Sequence, residues 1–495
     1  MLWRYVELFL FRHSANLLRL ILVNSLWRII VHLWTVRYTR SSNIISSPTT
    51  LSNRLNEFCI VALSEYFQPT KNGDTAFAVE APKIKFGKGC LAEIGADARA
   101  LGIKRAALYT DLRVTNLEPY SIVLKSLCDA GIDFAIFDEI EVEPTDRSFK
   151  VGIDFAQEGD FDGFISLGGG STIDTAKASN LYATHPANFL NYVNAPIGKG
   201  FPVPGPLKPH IACPTTFGTA SECTGIAIFD LLEMEAKTGI AHAALRPSLG
   251  ILDPQSLLTL PTNVVAANAF DVFCHAVESF TARPYTHRRA PEIPSARPLS
   301  QGANPYSDIA CIEAIRLIGA NIVSGVKEPN LIENMEPLMF AGMLAGIGFG
   351  NAGCHVPHGM AYAVAGLVRN YQPKGWPSNH PMVPHGISVI VNAPAVFRFM
   401  GDACPNRHLR AAEALGVSII DTTEQDANDL LADRIIALMR ECDIPNGLKG
   451  VGYKEEDLPT LVEKSFPQRR LIENGPKKID RKELEDIFRD AMQYW

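Results

Sequence analysis

The sequence predicts two domains, an α/β domain over residues 76–254 and an all-α domain over residues 255–495. From about residue 75 to Pro254, short apolar runs alternate with helix-length segments, which is typical of parallel β-α-β units. After "LGILDP" the strand patterns fade and helical periodicities dominate. A glycine-rich turn, "GGGSTIDTAK", follows a strand and opens a helix inside the first domain, as in folds that bind phosphate groups.

The individual elements follow from these patterns in chain order. Strands are predicted for the run that ends at Asp111, for residues 134–140, for "FDGFISLG" before the glycines, for "HIACP", and for residues 249–254. Helices are predicted over residues 264–281, 307–327, 333–349, 355–367, 411–415, 426–441 and 481–494. A Pro- and Arg-rich insertion over residues 283–305 interrupts the helices and is predicted to be a long loop.

Composition and charge exclude several classes of function. The 495 residues contain 46 Lys and Arg against 53 Asp and Glu, a net charge of -7, so no basic field exists for nucleic acid. The ten cysteines are scattered without a C-x-x-C pair, which indicates reduced thiols and neither a disulfide framework nor a zinc ribbon. We therefore expect small-molecule substrates, no nucleic acid and no stable membrane partner.

The N-terminal residues 1–75 differ from the rest and are predicted to be a presequence followed by a poorly ordered extension. Residues 1–53 contain six arginines, no lysine, one acidic residue and a serine cluster, a composition typical of organelle transit peptides. This favours the mitochondrial matrix. Two alternatives stay open: a membrane anchor over residues 17–36, which Arg19 and Arg28 interrupt, or an error in the predicted start of the gene.

The glycine turn is a candidate cofactor site. Gly168, Gly169 and Gly170 allow close approach of a ligand to the backbone, and we expect Ser171 or Thr172 to cap a helix that begins near Ile173. The free N–H groups of that helix would face a phosphate. A tight strand-helix turn without a ligand remains an alternative, and the letters are not the G-x-G-x-x-G of a Rossmann unit.

Two further segments support a dinucleotide site. Asp111 ends an earlier strand. In dinucleotide-binding folds an acidic residue at such a strand end contacts a ribose hydroxyl. An ordinary turn residue is nearly as good an interpretation of Asp111. It precedes the glycines, whereas the Rossmann acid follows them, so the topology should differ. The loop "PTTFGTASECTG" supplies the hydroxyls of Thr215, Thr216 and Thr219 directly after a strand. Serine and threonine also simply favour loops.

A metal site is the second candidate. Asp271 and His275 lie four residues apart in a mostly apolar helix, so both project from one face. Alone, the pair is best explained as a solvated face. Downstream, "HGMAYAV" and "PHGISV" add His358 and His385, and one carboxylate with three imidazoles suits iron, zinc, cobalt or nickel. His355 lies one turn before His358 and competes with it; Cys274 and Cys354 would be softer ligands.

In combination these motifs resemble the iron-containing alcohol dehydrogenase family from about residue 77 to residue 494. The segments that carry the resemblance, in chain order, are "GGGSTIDTAK", "PTTFGTASE", "ILDP", "D-x-x-x-H-A-x-E", "GFGNAG", "HGMAYAV" and "PHGISV". Segments such as "VEPTDRSF" and "NYVNAPIGKG" are most similar to its mitochondrial hydroxyacid-oxoacid transhydrogenase branch. One departure is Tyr362, which stands where many members of the family have a histidine.

The resemblance implies an α/β nucleotide-binding domain and a helical metal-binding domain, of the dehydroquinate synthase-like type, with the site in the cleft between them. It implies that Asp271, His275, His358 and His385 bind a divalent metal, iron(II) with zinc as the alternative. It further implies that a tightly bound NAD(H) contacts a set of residues in the first domain: Asp111, Gly169, Gly170, Ser171, Thr215, Thr216, Thr219 and Lys237.

The implied reaction is hydride transfer from 4-hydroxybutyrate or 3-hydroxybutyrate to 2-oxoglutarate, which gives 2-hydroxyglutarate, by an enzyme expected to be a homo-oligomer. Alternatives are an alcohol dehydrogenase that releases NADH, a catalytically silent binding protein, and a lyase of similar architecture. We also expect that an arginine of the insertion could bind a substrate carboxylate, against the alternative of a solvated loop; the candidates are Arg283, Arg288, Arg289 and Arg297.

Overall fold

A parallel sheet organises the first half of the chain. The computed structural model describes residues 66, 68–234, 236–376 and 381–495. Its strands are β1 (Ile84–Phe86), β2 (Arg105–Tyr109), β3 (Asp133–Phe137), β4 (Gly163–Gly168), β5 (His210–Pro214), β6 (Ile226–Leu231), β7 (Ala236–Ala241) and β8 (Leu249–Leu252). Six of them form one all-parallel sheet in the order β1-β8-β5-β4-β2-β3. The central strands β4, β5 and β8 are fully buried, as their continuous apolar sequences predict.

Four helices connect these strands: α1 (Ile94–Ala100), α2 (Glu118–Asp129), α3 (Asp146–Glu158) and α4 (Gly170–Thr184). In α3 the buried residues recur with helical spacing at Phe149, Gly152, Ile153 and Ala156, which gives the helix one face to pack on the domain core. Thr145 caps α3, since its Oγ1 accepts the N–H of Ser148 at 3.1 Å. The β-α-β pattern of the sequence is therefore realised as expected.

The carboxyl ends of three neighbouring strands bring the candidate loops together. Strands β2, β4 and β5 are adjacent in the sheet, and Asp111, the glycine turn and the threonine loop follow them directly. The last pair in register is Gly168 beside Pro214, and the N–H of Thr215 donates to the carbonyl of Gly168 at 2.9 Å. Ligands of open α/β sheets bind at this edge.

Helices make up the second half of the chain. They are α5 (Thr262–Thr281), α6 (Pro305–Lys327), α7 (Ile332–Ala352), α8 (Val356–Gly366), α9 (His385–Ile390), α10 (Ala393–Met400), α11 (Pro405–Ala414), α12 (Ala427–Glu441), α13 (Gly447–Gly450), α14 (Leu458–Ser465), α15 (Arg469–Ile472) and α16 (Arg481–Asp490). Helix α5 is buried on every side and packs against α6, α7 and α9. The α/β domain followed by a helical domain confirms the predicted fold class.

Helix α6 is long and apolar enough to cross a membrane by length and composition, as is the bent pair of α7 and α8. Helix α6 packs against α5 and α7, and 39% of its apolar window is buried inside the structure. Among the described cysteines, Cys90, Cys213, Cys274 and Cys354 are buried free thiols, in line with the reduced state expected from the spacing.

The remaining sequence predictions have different outcomes. The short strand β1 and the antiparallel hairpin of β6 and β7 were not predicted; β6 alternates half-buried and buried residues, a weaker signal than a continuous apolar run. The insertion is a long loop with only two short 3₁₀ turns, as predicted. The predicted presequence and the alternative anchor lie outside the described residues.

Candidate active site between the sheet and the helical domain

Four side chains from three helices converge on one point. Asp271 and His275 lie one turn apart on α5, His358 lies in the first turn of α8, and His385 begins α9. The Nε2 atoms of the three histidines stand 3.8, 3.6 and 3.7 Å from Oδ1 of Asp271. Their potential ligand atoms all lie within 4.8 Å of one another. These are the four residues that the sequence predicted as metal ligands.

The distances fit a bound ion better than hydrogen bonds. Two tetrahedral ligands at about 2.1 Å from one ion stand about 3.4 Å apart, whereas a hydrogen bond would bring the atoms to roughly 2.9 Å. Oδ1 of Asp271 and Nε2 of His358 are buried and have no hydrogen-bond partner in the described part of the chain. Buried polar atoms are seldom left unpaired, so an oxygen and a nitrogen that face each other without partners fit a cation bound between them. The donor set therefore fits a divalent metal.

The electrostatics of the four groups favour metal binding. Burial would raise the pKa of the Asp271 carboxyl, but His275, His385 and His358 outweigh burial and lower that pKa to about 2. Burial lowers the pKa of His275 to about 4 and also lowers that of His385. Burial would also lower the pKa of His358, but Cys354, Glu278 and Asp271 outweigh burial and raise that pKa well above its usual value. At neutral pH the site therefore presents one carboxylate and two neutral imidazoles with free lone pairs, and a metal would displace the proton of His358 on binding.

A buried glutamate orients one of the histidines. Nδ1–H of His358 donates to Oε1 of Glu278 at 2.7 Å, while Oε2 of Glu278 accepts the backbone N–H of His355 at 2.7 Å. A carboxylate on Nδ1 fixes the tautomer in which Nε2 carries the lone pair. The sequence analysis included Glu278 as the last letter of "D-x-x-x-H-A-x-E" but predicted no role for it.

The residues considered as competing ligands have other partners or positions. The ring of His355 lies between Thr281, whose Oγ1 is 3.0 Å from Nε2, and the N–H of Val356, which donates to Nδ1 at 2.8 Å. Cys354 clusters with Glu278 and His358, and burial raises the pKa of its thiol. Since burial keeps the Cys354 thiol protonated and the ring nitrogens of His355 have other partners, the thiol-free set remains the better candidate.

A cleft at the carboxyl edge of the sheet runs toward this cluster. It is lined by seven of the eight residues predicted to contact the cofactor: Asp111, Gly169, Gly170, Ser171, Thr215, Thr216 and Thr219. Asp271 and His385 form its inner end. Oδ1 of Asp111 accepts the N–H groups of Arg113 and Val114 at 2.9 and 3.2 Å, so Asp111 also holds its own turn. The wall of this one cleft therefore includes both Asp111 and two of the four clustered residues.

The glycine turn differs in detail from the prediction. Helix α4 begins at Gly170 with Gly169 as its N-cap, and no side chain caps it, so the expected capping by Ser171 or Thr172 was wrong. The uncapped first turn leaves its N–H groups directed at the cleft, as an anion site requires. A Cβ on Gly170 would lie 2.6 Å from Oγ1 of Thr219, which explains why glycine is needed where the two loops meet.

A buried polar network fixes these loops. Nζ of Lys177 donates to Oγ of Ser221 at 2.6 Å and to the carbonyl of Ile226 at 2.7 Å, and Ser221 donates to Asp174. Oδ2 of Asp174 accepts the N–H of Ile228 at 2.9 Å. The Asp and Lys of "GGGSTIDTAK" thus join α4 to the threonine loop and to β6, so their role is structural support of the cleft.

A second cavity adjoins the four-residue cluster of Asp271, His275, His358 and His385. His275, His358, His385 and Tyr362 line it, together with Phe349, whose ring stacks on His275 at 4.1 Å between centroids. It shares part of its wall with the cofactor cleft: Glu143, Gly170, Ser171, Thr219 and His385. A molecule in this cavity and a cofactor in the cleft would therefore meet beside the four ligands.

Lys237 lines this second cavity and not the cleft that holds the other seven residues. Its Nζ lies 2.8 Å from Glu143 and 3.0 Å from Asp230. Burial would lower the pKa of Lys237, but these two carboxylates outweigh burial and raise it. Glu143 was not anticipated from sequence; it adopts a left-handed φ of 55°, a conformation that often marks functional sites in residues other than glycine.

The insertion contributes to the cavity in an unexpected way. Among the residues described, Ser300 lines the cavity and the four arginines proposed as a clamp do not. Arg297 is held by Asp74 through two bonds of 2.9 and 2.8 Å, and Arg289 is exposed at the surface. The arginine that does reach the cavity is Arg470, on α15.

Comparison with known proteins identifies the family of this chain. The family model for iron-containing alcohol dehydrogenase matches residues 81–254, and the C-terminal model of the Fe-containing alcohol dehydrogenase family matches residues 299–492. A mitochondrial hydroxyacid-oxoacid transhydrogenase of Rattus norvegicus is 45% identical over 427 residues, 86% of this chain and 91% of that protein. The Homo sapiens protein of the same name is 44% identical over 428 residues, 86% and 91% of the two chains.

Solved structures give the same result. The crystal structure of a 1,3-propanediol oxidoreductase superposes with a TM-score of 0.74 at 29% identity, covering 84% of this chain and all of that one. An alcohol dehydrogenase from Oenococcus oeni superposes with a TM-score of 0.73 at 26% identity, with 84% and 100% coverage. On the fold, the donor set and these matches, the chain is an oxidoreductase that belongs to the iron-containing alcohol dehydrogenase family.

Proposed function

We propose that this chain is a hydroxyacid-oxoacid transhydrogenase, with 4-hydroxybutyrate or 3-hydroxybutyrate as donor and 2-oxoglutarate as acceptor. The observation that carries the proposal is the shared wall of the cofactor cleft and the second cavity beside the four-residue cluster. The relatives named for this reaction support the choice of substrates over a simple alcohol. NAD(H) would stay bound while one substrate replaces the other.

Each group has a defined task in this scheme. When bound, a divalent metal, iron(II) or alternatively zinc, would supply Lewis acidity to the substrate oxygen, and NAD(H) would accept and return the hydride. Asp271, His275, His358 and His385 would hold the metal, with Glu278 keeping His358 in its tautomer. The first turn of α4 would hold the pyrophosphate. Phe349, stacked on His275, covers one side of the cluster and helps exclude water.

The reaction is tested by exchange without free cofactor. Purified protein loaded with iron(II) receives 4-hydroxybutyrate and 2-oxoglutarate with no added NAD, and 2-hydroxyglutarate is measured by mass spectrometry. Formation of 2-hydroxyglutarate with one equivalent of oxidised donor supports the transhydrogenase. If product appears only when NAD is added, and NADH accumulates with the donor alone, the chain is an alcohol dehydrogenase that releases its cofactor.

Asp111 is proposed to select NAD(H) over NADP(H). Its carboxylate would accept a bond from the ribose 2′-hydroxyl and repel a 2′-phosphate. Asp111→Asn retains an oxygen for the N–H groups of Arg113 and Val114 but removes the charge. We expect NAD(H) affinity to fall about tenfold and the discrimination against NADP(H) to relax. Fluorescence titration of both cofactors measures this; unchanged affinities for both would remove Asp111 from the site.

Glu278 is proposed to be a positioning residue for His358. In Glu278→Gln one acceptor oxygen becomes an N–H₂ group, so either His358 or the N–H of His355 loses its partner. We expect metal affinity to fall about 10- to 100-fold, measured by competition with a chelator. Glu222→Gln is the matched control, because Glu222 is a buried glutamate that contacts Cys223 and none of the four ligands. Equal losses in both variants would contradict this role.

Location and assembly complete the proposal. The relatives' names place them in mitochondria, and the arginine-rich, acid-poor residues 1–53 support import into the matrix of this chain. Immunofluorescence of a tagged full-length chain tests it, and an endoplasmic reticulum signal would contradict it. We further propose a homo-oligomer without a stable membrane or nucleic-acid partner, which light scattering of the purified protein would check.

A further inference from the structure

Among the residues that the structure describes, the second cavity has one lysine or arginine without a carboxylate partner. The described residues that line the cavity include one lysine, Lys237, and one arginine, Arg470. Lys237 forms salt bridges with Glu143 and Asp230 at 2.8 and 3.0 Å. Arg470 is exposed at the cavity wall and has no carboxylate partner in the part of the chain that the structure describes. Its guanidinium is therefore available to an anion that enters the cavity.

The backbone of Arg470 is fixed relative to the metal cluster. Leu471 and Ile472, the next residues of α15, are buried. A Cβ added to Gly359, the neighbour of His358, would lie 3.3 Å from Ile472 and 3.5 Å from Leu471, so α15 packs on the turn that carries this ligand. After α15, the side chain of Asn474 donates to the carbonyls of Ala352 and Cys354 at 3.1 and 3.0 Å.

The neighbouring arginine shows what an ordinary surface residue of this helix does. Arg469 pairs with Glu473 at 2.7 Å and lies over the ring of Phe466, 4.7 Å from its centroid. It lines a different surface groove and not the cavity. Two arginines in one turn thus have different surroundings, and only Arg470 combines a cavity position with an unpaired guanidinium among the residues described.

We infer that Arg470 binds the substrate carboxylate that is separated from the reacting carbon by two methylene groups. The inference rests on the proposed function. In 4-hydroxybutyrate two methylenes lie between the carbinol carbon and the carboxylate, and in 2-oxoglutarate two lie between the oxo carbon and the distal carboxylate. One guanidinium at a fixed place would therefore position the donor and the acceptor in turn. A guanidinium forms paired N–H bonds to a carboxylate, which a lysine ammonium does not.

This arrangement also ranks the donors. In 3-hydroxybutyrate a single methylene separates the carbinol carbon from the carboxylate, so its carboxylate would not reach Arg470 with the reacting carbon in the same place. We expect 3-hydroxybutyrate to depend less on Arg470 than 4-hydroxybutyrate does. Substrate choice within the hydroxy acids would then follow chain length and not charge alone.

The test compares Arg470→Met with Arg469→Met in the metal-loaded full-length protein. For Arg470→Met we expect KM values for 4-hydroxybutyrate and 2-oxoglutarate to rise roughly 10- to 100-fold, with a smaller change in kcat. Arg469→Met should behave like the wild-type protein. Calorimetric titration of 2-oxoglutarate gives a second readout that needs no turnover, and Arg470→Lys should bind between the wild type and Arg470→Met.

The outcomes separate this inference from the proposed function. If the wild type performs the exchange and Arg470→Met has the wild-type KM values for 4-hydroxybutyrate and 2-oxoglutarate, the inference is overturned. The proposed function then stands. If the wild type performs no exchange, the proposed function fails, and loss of 2-oxoglutarate binding in Arg470→Met would still place the carboxylate site. If Arg470→Met lowers the melting temperature, Arg470→Gln and Arg470→Lys decide: equal binding by these two variants overturns the inference.

Discussion

Replacing His275 by alanine is expected to remove the bound metal and to reduce turnover by more than two orders of magnitude. The reason is geometric. The set loses one of three nitrogens that lie 3.6–3.8 Å from Oδ1 of Asp271, and outer-shell changes alone typically cost about 10- to 100-fold in affinity. The remaining carboxylate and two imidazoles would leave a three-ligand site that competes poorly with solvent and chelators.

The fold should survive this change, with a lower melting temperature. His275 lies on α5, a helix buried on every side, and stacks on Phe349 at 4.1 Å between ring centroids. Loss of an aromatic pair of this kind costs about 0.5–1.5 kcal/mol beyond the buried area. Circular dichroism and thermal unfolding of the metal-free wild type and variant would measure the difference.

His355 offers the matched control. It is buried in the same domain, one turn before His358, but its ring contacts Thr281 and the N–H of Val356 and does not join the four-residue cluster. His355→Ala should lose stability and keep metal. Elemental analysis after loading with iron(II) distinguishes the two variants. Full occupancy with normal turnover in His275→Ala would show that the wrong ligand set was chosen.

The parts of the site that sequence reasoning recovered are those with local signals. Asp271 and His275 share a helix face by spacing, and the loops of Asp111, Gly169 and Thr215 each follow a strand directly. Parallel strands end at one edge of a sheet, so these loops had to meet once β2, β4 and β5 were neighbours. Local spacing and chain order were enough for these residues.

The parts that sequence reasoning missed depend on contacts between distant segments. The contact of Glu278 with His358 spans 80 residues, and the contact of Glu143 with the predicted Lys237 spans 94. The hydrophobic periodicity of the sequence cannot predict such pairs, because the packing of the helices and the hairpin determines them. The same holds for the arginines: Arg297 of the insertion pairs with Asp74, while Arg470 reaches the cavity because α15 packs on α8. A count of cations along the chain cannot distinguish the two cases.

Replacing Gly386 by alanine is the second change with a large expected effect, although no ligand is altered. A Cβ at this position would lie 2.0 Å from the carbonyl oxygen of Ala267, 2.9 Å from its carbonyl carbon and 3.0 Å from Cβ of Asp271. The closest atoms belong to the backbone of α5, so no side-chain rotation relieves the clash. Helix α9 must move away from α5, and His385, the preceding residue, moves with it.

Two consequences should appear together. Overpacking of this kind typically costs about 1–3 kcal/mol of folding stability. Displacement of His385 from Asp271 should also lower metal affinity about 10- to 100-fold, as expected when a ligand loses its support. Thermal unfolding and chelator competition measure the two effects separately. Unchanged metal affinity in a destabilised protein would mean that His385 is not held in place by the contact between α9 and α5.

The other His-Gly pair of the site, His358 and Gly359, provides the comparison. Gly359 follows His358 as Gly386 follows His385, but a Cβ there would meet Ile472 at 3.3 Å and Leu471 at 3.5 Å, both through side-chain atoms. Those side chains can yield by a few tenths of an ångström, and alanine in a helix gains about 0.5–1 kcal/mol over glycine. Gly359→Ala should therefore keep both stability and metal. The same dipeptide thus has two physical explanations: at residue 386 glycine is required by a backbone contact with α5, whereas at residue 359 it is replaceable.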